Sequence, residues 1–153
     1  MKLNKIPWIL FILSTIITSC SKNPECWGET ENTGIIIRSV NINCEPCIQQ
    51  NNYIIQDDST YSKIFCGPNS GIDPCDLPII DFSSQTLLGV RAAGNCKIKI
   101  QREVNPDENE KKYVYSVRVK SCGVCKTKIA AENWVLVPKL PTNWSVSFEV
   151  EED

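Results

Sequence analysis

The chain has no histidine among its 153 residues and only one methionine. Without imidazole, the commonest general base, the commonest nitrogen ligand for zinc, and the Ser/His and Cys/His dyads are all missing. Ser83 and Ser84 lack a GxSxG elbow and read as a polar turn. No loop sets oxygen ligands at alternate positions with the glycine and distal glutamate of an EF-hand. Glu25, Glu29, Glu31 and the tail Glu149, Glu151, Glu152 and Asp153 therefore read as solvated charges, and no metal or other cofactor is implied. The 16 basic residues are scattered among 18 acidic ones. Pairs such as Lys97/Lys99 and Lys111/Lys112 make no stripe with interleaved aromatics, which argues against nucleic acid as a partner. Repeats and low-complexity tracts are also absent.

Long apolar runs are equally scarce. The one that exists, Ile6–Ile17, follows Lys2 and Lys5 and ends at Ile17-Thr18-Ser19-Cys20. This is the three-part layout of a secretory signal, too short and wrongly flanked for a transmembrane helix. Small residues before a cysteine make it a lipobox. The thiol of Cys20 is then the site of a diacylglyceryl thioether, with palmitate-type acyl chains holding the mature N-terminus in a membrane. The alternative is an ordinary signal peptide that has Cys20 near its cleavage site by coincidence. On the lipoprotein reading, residues 1–19 are the signal peptide, 20–33 a lipidated tether and 34–153 a single β-rich domain. The protein then belongs to the cell envelope, on the outer membrane, facing periplasm or cell surface. Removing residues 1–19 leaves 134 residues, enough for one domain with a real core. It also takes Lys2 and Lys5, leaving 14 basic against 18 acidic residues and a net charge near −4.

Eight cysteines remain: Cys26, Cys44, Cys47, Cys66, Cys75, Cys96, Cys122 and Cys125. An even count in an exported domain fits structural disulfides, each contributing roughly 2–4 kcal/mol. Spacing does not fix the pairing. Cys66 and Cys75 flank one loop and could close it, and Cys96 could join Cys122 or Cys125. Two other chemistries compete. Cys44/Cys47 and Cys122/Cys125 are formally two zinc knuckles, a reading that an oxidising compartment disfavours. The segment Cys44-Glu45-Pro46-Cys47 could be a thiol-disulfide redox motif, but it wants its first thiol at a helix N-terminus, and no amphipathic continuation follows Cys47.

The residue pattern predicts a mainly-β (or α+β) domain, an antiparallel sheet or sandwich of about seven to eight strands, disulfide-stapled, with one short helix. Strands are expected at Gly34–Ile42, Tyr53–Gln56, Ile79–Phe82, Thr86–Val90, Cys96–Arg102, Lys112–Lys120, Trp134–Pro138 and Asn143–Glu151. Asp57–Phe65 reads as the helix, with Asp58 or Ser59 accepting from the first turn. Asn105–Asn109 reads as a hairpin turn. Tyr113, Tyr115, Val117 and Val119 alternate with Val114, Ser116, Arg118 and Lys120, the mark of a strand with one wet face. Asp57, Asp73, Asp76 and Asp81 could supply a carboxylate pair for glycoside hydrolysis, although no pairing shows in the sequence. Trp27, Trp134 and Trp144 could form a sugar platform, against which Trp134 and Trp144 sit in core-like strand patterns.

From Pro78 onward the order of pieces resembles known proteins. Ile80-Asp81-Phe82-Ser83 with Thr86-Leu87-Leu88-Gly89-Val90 is similar to the opening of a group of Bacteroidetes lipoproteins. It also resembles the C-terminal domain of PrcB-like accessory subunits of a bacterial protease complex. In both, two β-hairpins follow, and Val137-Pro138-Lys139-Leu140-Pro141 matches the proline-marked turn before the last strand. Ala92-Ala93-Gly94-Asn95-Cys96 stands where the subunit family has a Thr-Gly-Gly-Tyr-like segment. The resemblance implies a non-catalytic role, binding or stabilising another exported protein such as a protease. Loops 67–78, 91–95 and 121–133 are the expected contact surfaces. The runner-up is an envelope thiol-redox protein using Cys44/Cys47 or Cys122/Cys125. Cys20→Ala is expected to release the protein from membranes in a fractionation of the producing cells; continued membrane association would overturn the lipobox reading.

Overall fold

Alternation decides the wet sheet. In the strand Lys112–Cys122, Tyr113, Tyr115, Val117 and Val119 are buried while the residues between them reach solvent. A computed structural model describes residues 30–65, 77–122 and 126–152. The signal segment, Cys20, Cys26, Cys66, Cys75 and Cys125 lie outside the described residues. Within them the strands are β1 (Glu31–Gly34), β2 (Arg38–Val40), β3 (Asn52–Ile55), β4 (Gln85–Asn95), β5 (Lys97–Asp107), β6 (Lys112–Cys122), β7 (Lys128–Pro138) and β8 (Ser145–Glu152), with helix α1 (Asp58–Ile64). They form two four-stranded sheets, sheet A in the order β1-β5-β6-β8 and sheet B in the order β2-β7-β4-β3. The mainly-β sandwich with one short helix is what the alternation predicts.

Between the sheets, Leu88, Val90 and Ala92 of β4 and Val135 and Val137 of β7 meet Ile100, Val104, Tyr115, Val117 and Val119 of sheet A. A second core lies on the other side of sheet B, where Tyr61, Ile64 and Phe65, from α1 and its C-cap, join Tyr53, Ile55, Phe82, Leu87, Trp134 and Leu136. Sheet B is thus covered on both faces, and β7 is buried without a break from Asn133 to Val137. Each large apolar side chain so enclosed contributes about 1.5–3 kcal/mol. The outer face of sheet A stays wet.

Two chain reversals set the long axis. β4 leaves sheet B and β5 enters sheet A through a single residue, Cys96, whose φ of 63° supplies the sharp corner. Cys96 N donates to Thr127 O at 2.9 Å beside it, and Cys96 bridges to Cys122 at the end of β6. This crossover end lies opposite the β5–β6 hairpin turn, where the Asp107 carboxylate accepts from Asn109 N and Glu110 N at 3.1 Å each.

Several expectations are corrected. Sheet A is mixed rather than antiparallel, because β1 pairs parallel to β5 and β8 parallel to β6. The chain changes sheet at both ends of β7, so β8 returns in the direction of β6. The strand expected over Gly34–Ile42 is split: Gly34, at φ 72°, turns the chain out of sheet A, and Ile35 and Ile36 pack between the sheets before β2. β1 begins at Glu31, within the stretch 20–33 read as tether, and ends at Gly34. Residues 79–82 form no strand, since Asp81 binds Ser83 and Ser84 and turns the chain. The helix is capped by Asp57, whose Oδ1 accepts from Thr60 N at 2.8 Å, and not by Asp58 or Ser59. The hairpin turn falls after Asp107, so Asn105 and Pro106 belong to β5.

Gly89 stands opposite Trp134 across β4 and β7. A Cβ there would lie 2.1 Å from the indole ring, which Tyr53 and Phe65 hold from the other side. Gly89→Ala is expected to cost about 1–3 kcal/mol through overpacking, read as a lower urea midpoint with an unchanged slope.

Candidate interaction face

On the outer face of sheet A, pairing lines side chains into rows. One row runs Glu31, Gln101, Arg118, Glu151, and the next Thr33, Glu103, Ser116, Glu149. Lys99 and Lys120 make a third row towards the crossover end. Within each strand, which residues share this face follows from the period of two. The rows are cross-linked. Gln101 Nε2 donates to Glu31 Oε2 at 2.8 Å and Lys99 Nζ to Glu31 Oε1 at 3.2 Å. Ser116 Oγ donates to Glu149 at 3.0 Å and Arg118 Nε to Glu151 at 3.1 Å. The bond from Gln101, then Lys99, holds the Glu31 carboxyl below its ordinary value. Two adjoining hollows of about 130 and 150 Å³ share Ser116 and Arg118. No described residue in these rows is aromatic. The face therefore offers fixed hydrogen-bonding groups of both signs and no stacking surface.

Behind this face a polar bridge joins the sheets. Arg102 points inward from β5, and its Nε donates to Oδ1 of the fully buried Asn133 at 3.0 Å. Asn133 Nδ2 donates in turn to Ala131 O, and the Tyr115 hydroxyl donates to Asn133 O at 3.1 Å. Burial lowers the Arg102 guanidinium and pushes the Tyr115 phenol up. A buried guanidinium is costly unless paired, so this bridge fixes how the sheets stack. An Arg within the pattern Ile100, Arg102, Val104 was the sequence signal for it.

The carboxylate-pair reading meets two acids already in use. Asp57 accepts from Thr60 with both oxygens. Asp81 accepts from Ser83 N, Ser83 Oγ and Ser84 Oγ. These bonds hold both carboxyls below the ordinary range, Asp57 mainly by the Thr60 amide and Asp81 mainly by the Ser83 hydroxyl. That is the opposite of a general acid. Asp73 and Asp76 lie outside the described residues. The tryptophan platform is also corrected. Trp134 is buried under α1, Trp144 stacks edge-on to Tyr113 in the other core, and Trp27 is outside the described residues.

Cys44 and Cys47 sit in the segment between β2 and β3, where Cys47 N donates to Ile64 O at 2.8 Å, while Cys122 ends β6 at the crossover end. No helix follows Cys47 before β3. Of the loops expected as contact surfaces, 91–95 is the end of β4 and 121–122 and 128–133 belong to β6 and β7. Residues 67–76 and 123–125 lie outside the described residues. Compared with protein-family models, curated proteins and solved structures, the chain finds no match.

Sequence reading passed over Glu132. On the covered side of sheet B it faces Arg91, with Nη1 to Oε1 at 3.6 Å, while its buried Oε2 has no hydrogen-bond partner. Burial raises its carboxyl, Arg91 pulls it back, and the charge of Glu45 raises it again. A raised folded pKa means that stability is lost as pH rises through it. Glu132→Gln is expected to be more stable than the parent at pH 7. The gap should close below about pH 4.3, the ordinary glutamate value, in urea titrations at both pH values.

Proposed function

We propose that this chain is a lipid-anchored, non-enzymatic envelope protein, held at Cys20, whose disulfide-stapled sandwich presents the outer face of sheet A to another exported protein. The observation that carries the reading is the asymmetry of the two sheets. Helix α1 and its neighbours cover sheet B, while sheet A keeps an ordered lattice of Glu31, Gln101, Arg118, Glu151, Glu103, Ser116 and Glu149 open to solvent. Exposed ion pairs add little to stability, about 0–1 kcal/mol each. Groups of both signs at set spacings are better suited to selecting a complementary partner and steering its approach. The absence of stacking rings in these rows favours a protein over a sugar. The resemblance of the C-terminal half to PrcB-like accessory subunits makes exported proteases the first partners to look for.

The staple is part of this proposal. The fold sets Cys96 beside Cys122 as a β-bridge, and Cys44 and Cys47 share the segment between β2 and β3. Cys96 and Cys122 mark the end where β4 hands over to β5 and β6 stops, where a cross-link would hold the two sheets together.

Affinity purification of the tagged full-length protein from gently solubilised membranes is expected to bring down a stoichiometric exported partner. The double variant Glu103→Arg/Arg118→Glu should lose it while keeping the parent's unfolding free energy, from urea titration, to within about 1 kcal/mol. Equal recovery with the variant would overturn the face, and no partner at all would overturn the accessory role.

A further inference from the structure

The charges of the sandwich are sorted along its long axis. At the crossover end stand Lys97 at the start of β5, Lys99 and Lys120 just inside it, and Lys126 and Lys128 leading into β7. Lys97, Lys126 and Lys128 are exposed, as is Ile129 beside them. Among the carboxylates towards this end, Glu31 is paired with Lys99, Glu151 with Arg118, and Glu152 accepts from the neutral amide Ala93 N at 2.8 Å. At the opposite end the hairpin turn carries Asp107, Glu108 and Glu110 beside Lys111 and Lys112, and Asp57 and Asp81 lie near Lys139.

The N-terminus adds direction. β1 is parallel to β5, which runs away from Cys96, so the chain enters the sandwich from the lysine-bearing end. From Cys20 to Thr30 are ten residues, which span at most about 35 Å when fully extended. We infer that the crossover end docks on the anionic phospholipid headgroups of the membrane that holds the chain, through Lys97, Lys126 and Lys128 with Ile129 at the interface. This rests on Cys20 being the lipid anchor. Each lysine brought to an anionic surface strengthens attraction about fivefold, and the effect decays within a Debye length of about 8 Å. The hairpin end, rich in acids, is repelled by the same surface, so the long axis stands up from the membrane and the outer face of sheet A looks sideways.

The test uses the full-length protein from its native membranes. It is reconstituted into vesicles of phosphatidylethanolamine alone or mixed with phosphatidylglycerol, then treated with a membrane-impermeant amine-acylating reagent and digested for mass spectrometry. In the phosphatidylglycerol vesicles, acylation of Lys97, Lys126 and Lys128 relative to Lys111 is expected to fall about fivefold, and to recover in high salt. The variant Lys126→Glu/Lys128→Glu should leave Lys97 unprotected. The same digest reports the mass of the Cys20 peptide. Equal acylation in both vesicles with lipid on Cys20 overturns the docking and leaves the anchor standing. Protection of Lys97 that persists in the double variant overturns the charge mechanism. A Cys20 peptide without lipid overturns the anchor and the docking with it.

Discussion

The indole of Trp134 lies against the bare backbone of Gly89, and the layering of the molecule depends on that contact. With no Cβ on Gly89, the ring can settle flat enough for Tyr53 and Phe65 to close over it, which brings α1 down onto sheet B. Once that face is sealed, β7 must be apolar on both sides, and it is, from Trp134 to Val137. Asn133 is the exception, and it spends its amide on Arg102 and Ala131. Packing on one side of sheet B and a polar bridge on the other therefore meet at neighbouring residues of one strand. The sheet left over, A, has only one face to bury, and its other face is free to carry charge.

Much of this was legible wherever the pattern was local. β6 could be read residue by residue, since Tyr113 to Val119 alternate without interruption, and the helix announced itself through the spacing of Tyr61, Ile64 and Phe65, although its cap is Asp57 and not Asp58 or Ser59. Reading failed where burial depends on the far side of the fold. Residues 91–95 and 128–133 look like loop because Ala92, Ala93, Ala130 and Ala131 carry no strand preference; they are strand because each pairs across β4 and β7. The triple isoleucine Ile35–Ile37 looks like one strand, and instead a glycine sends it from one sheet to the other. The parallel strands had no local sign at all, since their direction is set by chain reversals at distant ends.

The candidate face divides in the same way. That Lys99, Gln101 and Glu103 share a side with one another, and Ser116 with Arg118, follows from a period of two. That Glu31 should reach Gln101, or Glu149 reach Ser116, comes only from strand order, because the partners are 70 and 33 residues apart in sequence. The sorting of lysines to one end is likewise invisible in a chain whose basic residues look scattered.

The direction of β1 has a mechanical side. A pull arriving through the segment before Thr30 acts along β1, lengthwise to its pairing with β5 over Glu31–Gly34. Parallel edge strands loaded in this way slide against all their hydrogen bonds at once, where a hairpin pulled at its open end would unzip one rung at a time. The short strand at the rim of sheet A therefore acts as a shear joint, and traction on the N-terminus reaches the sandwich as a load shared across four residues.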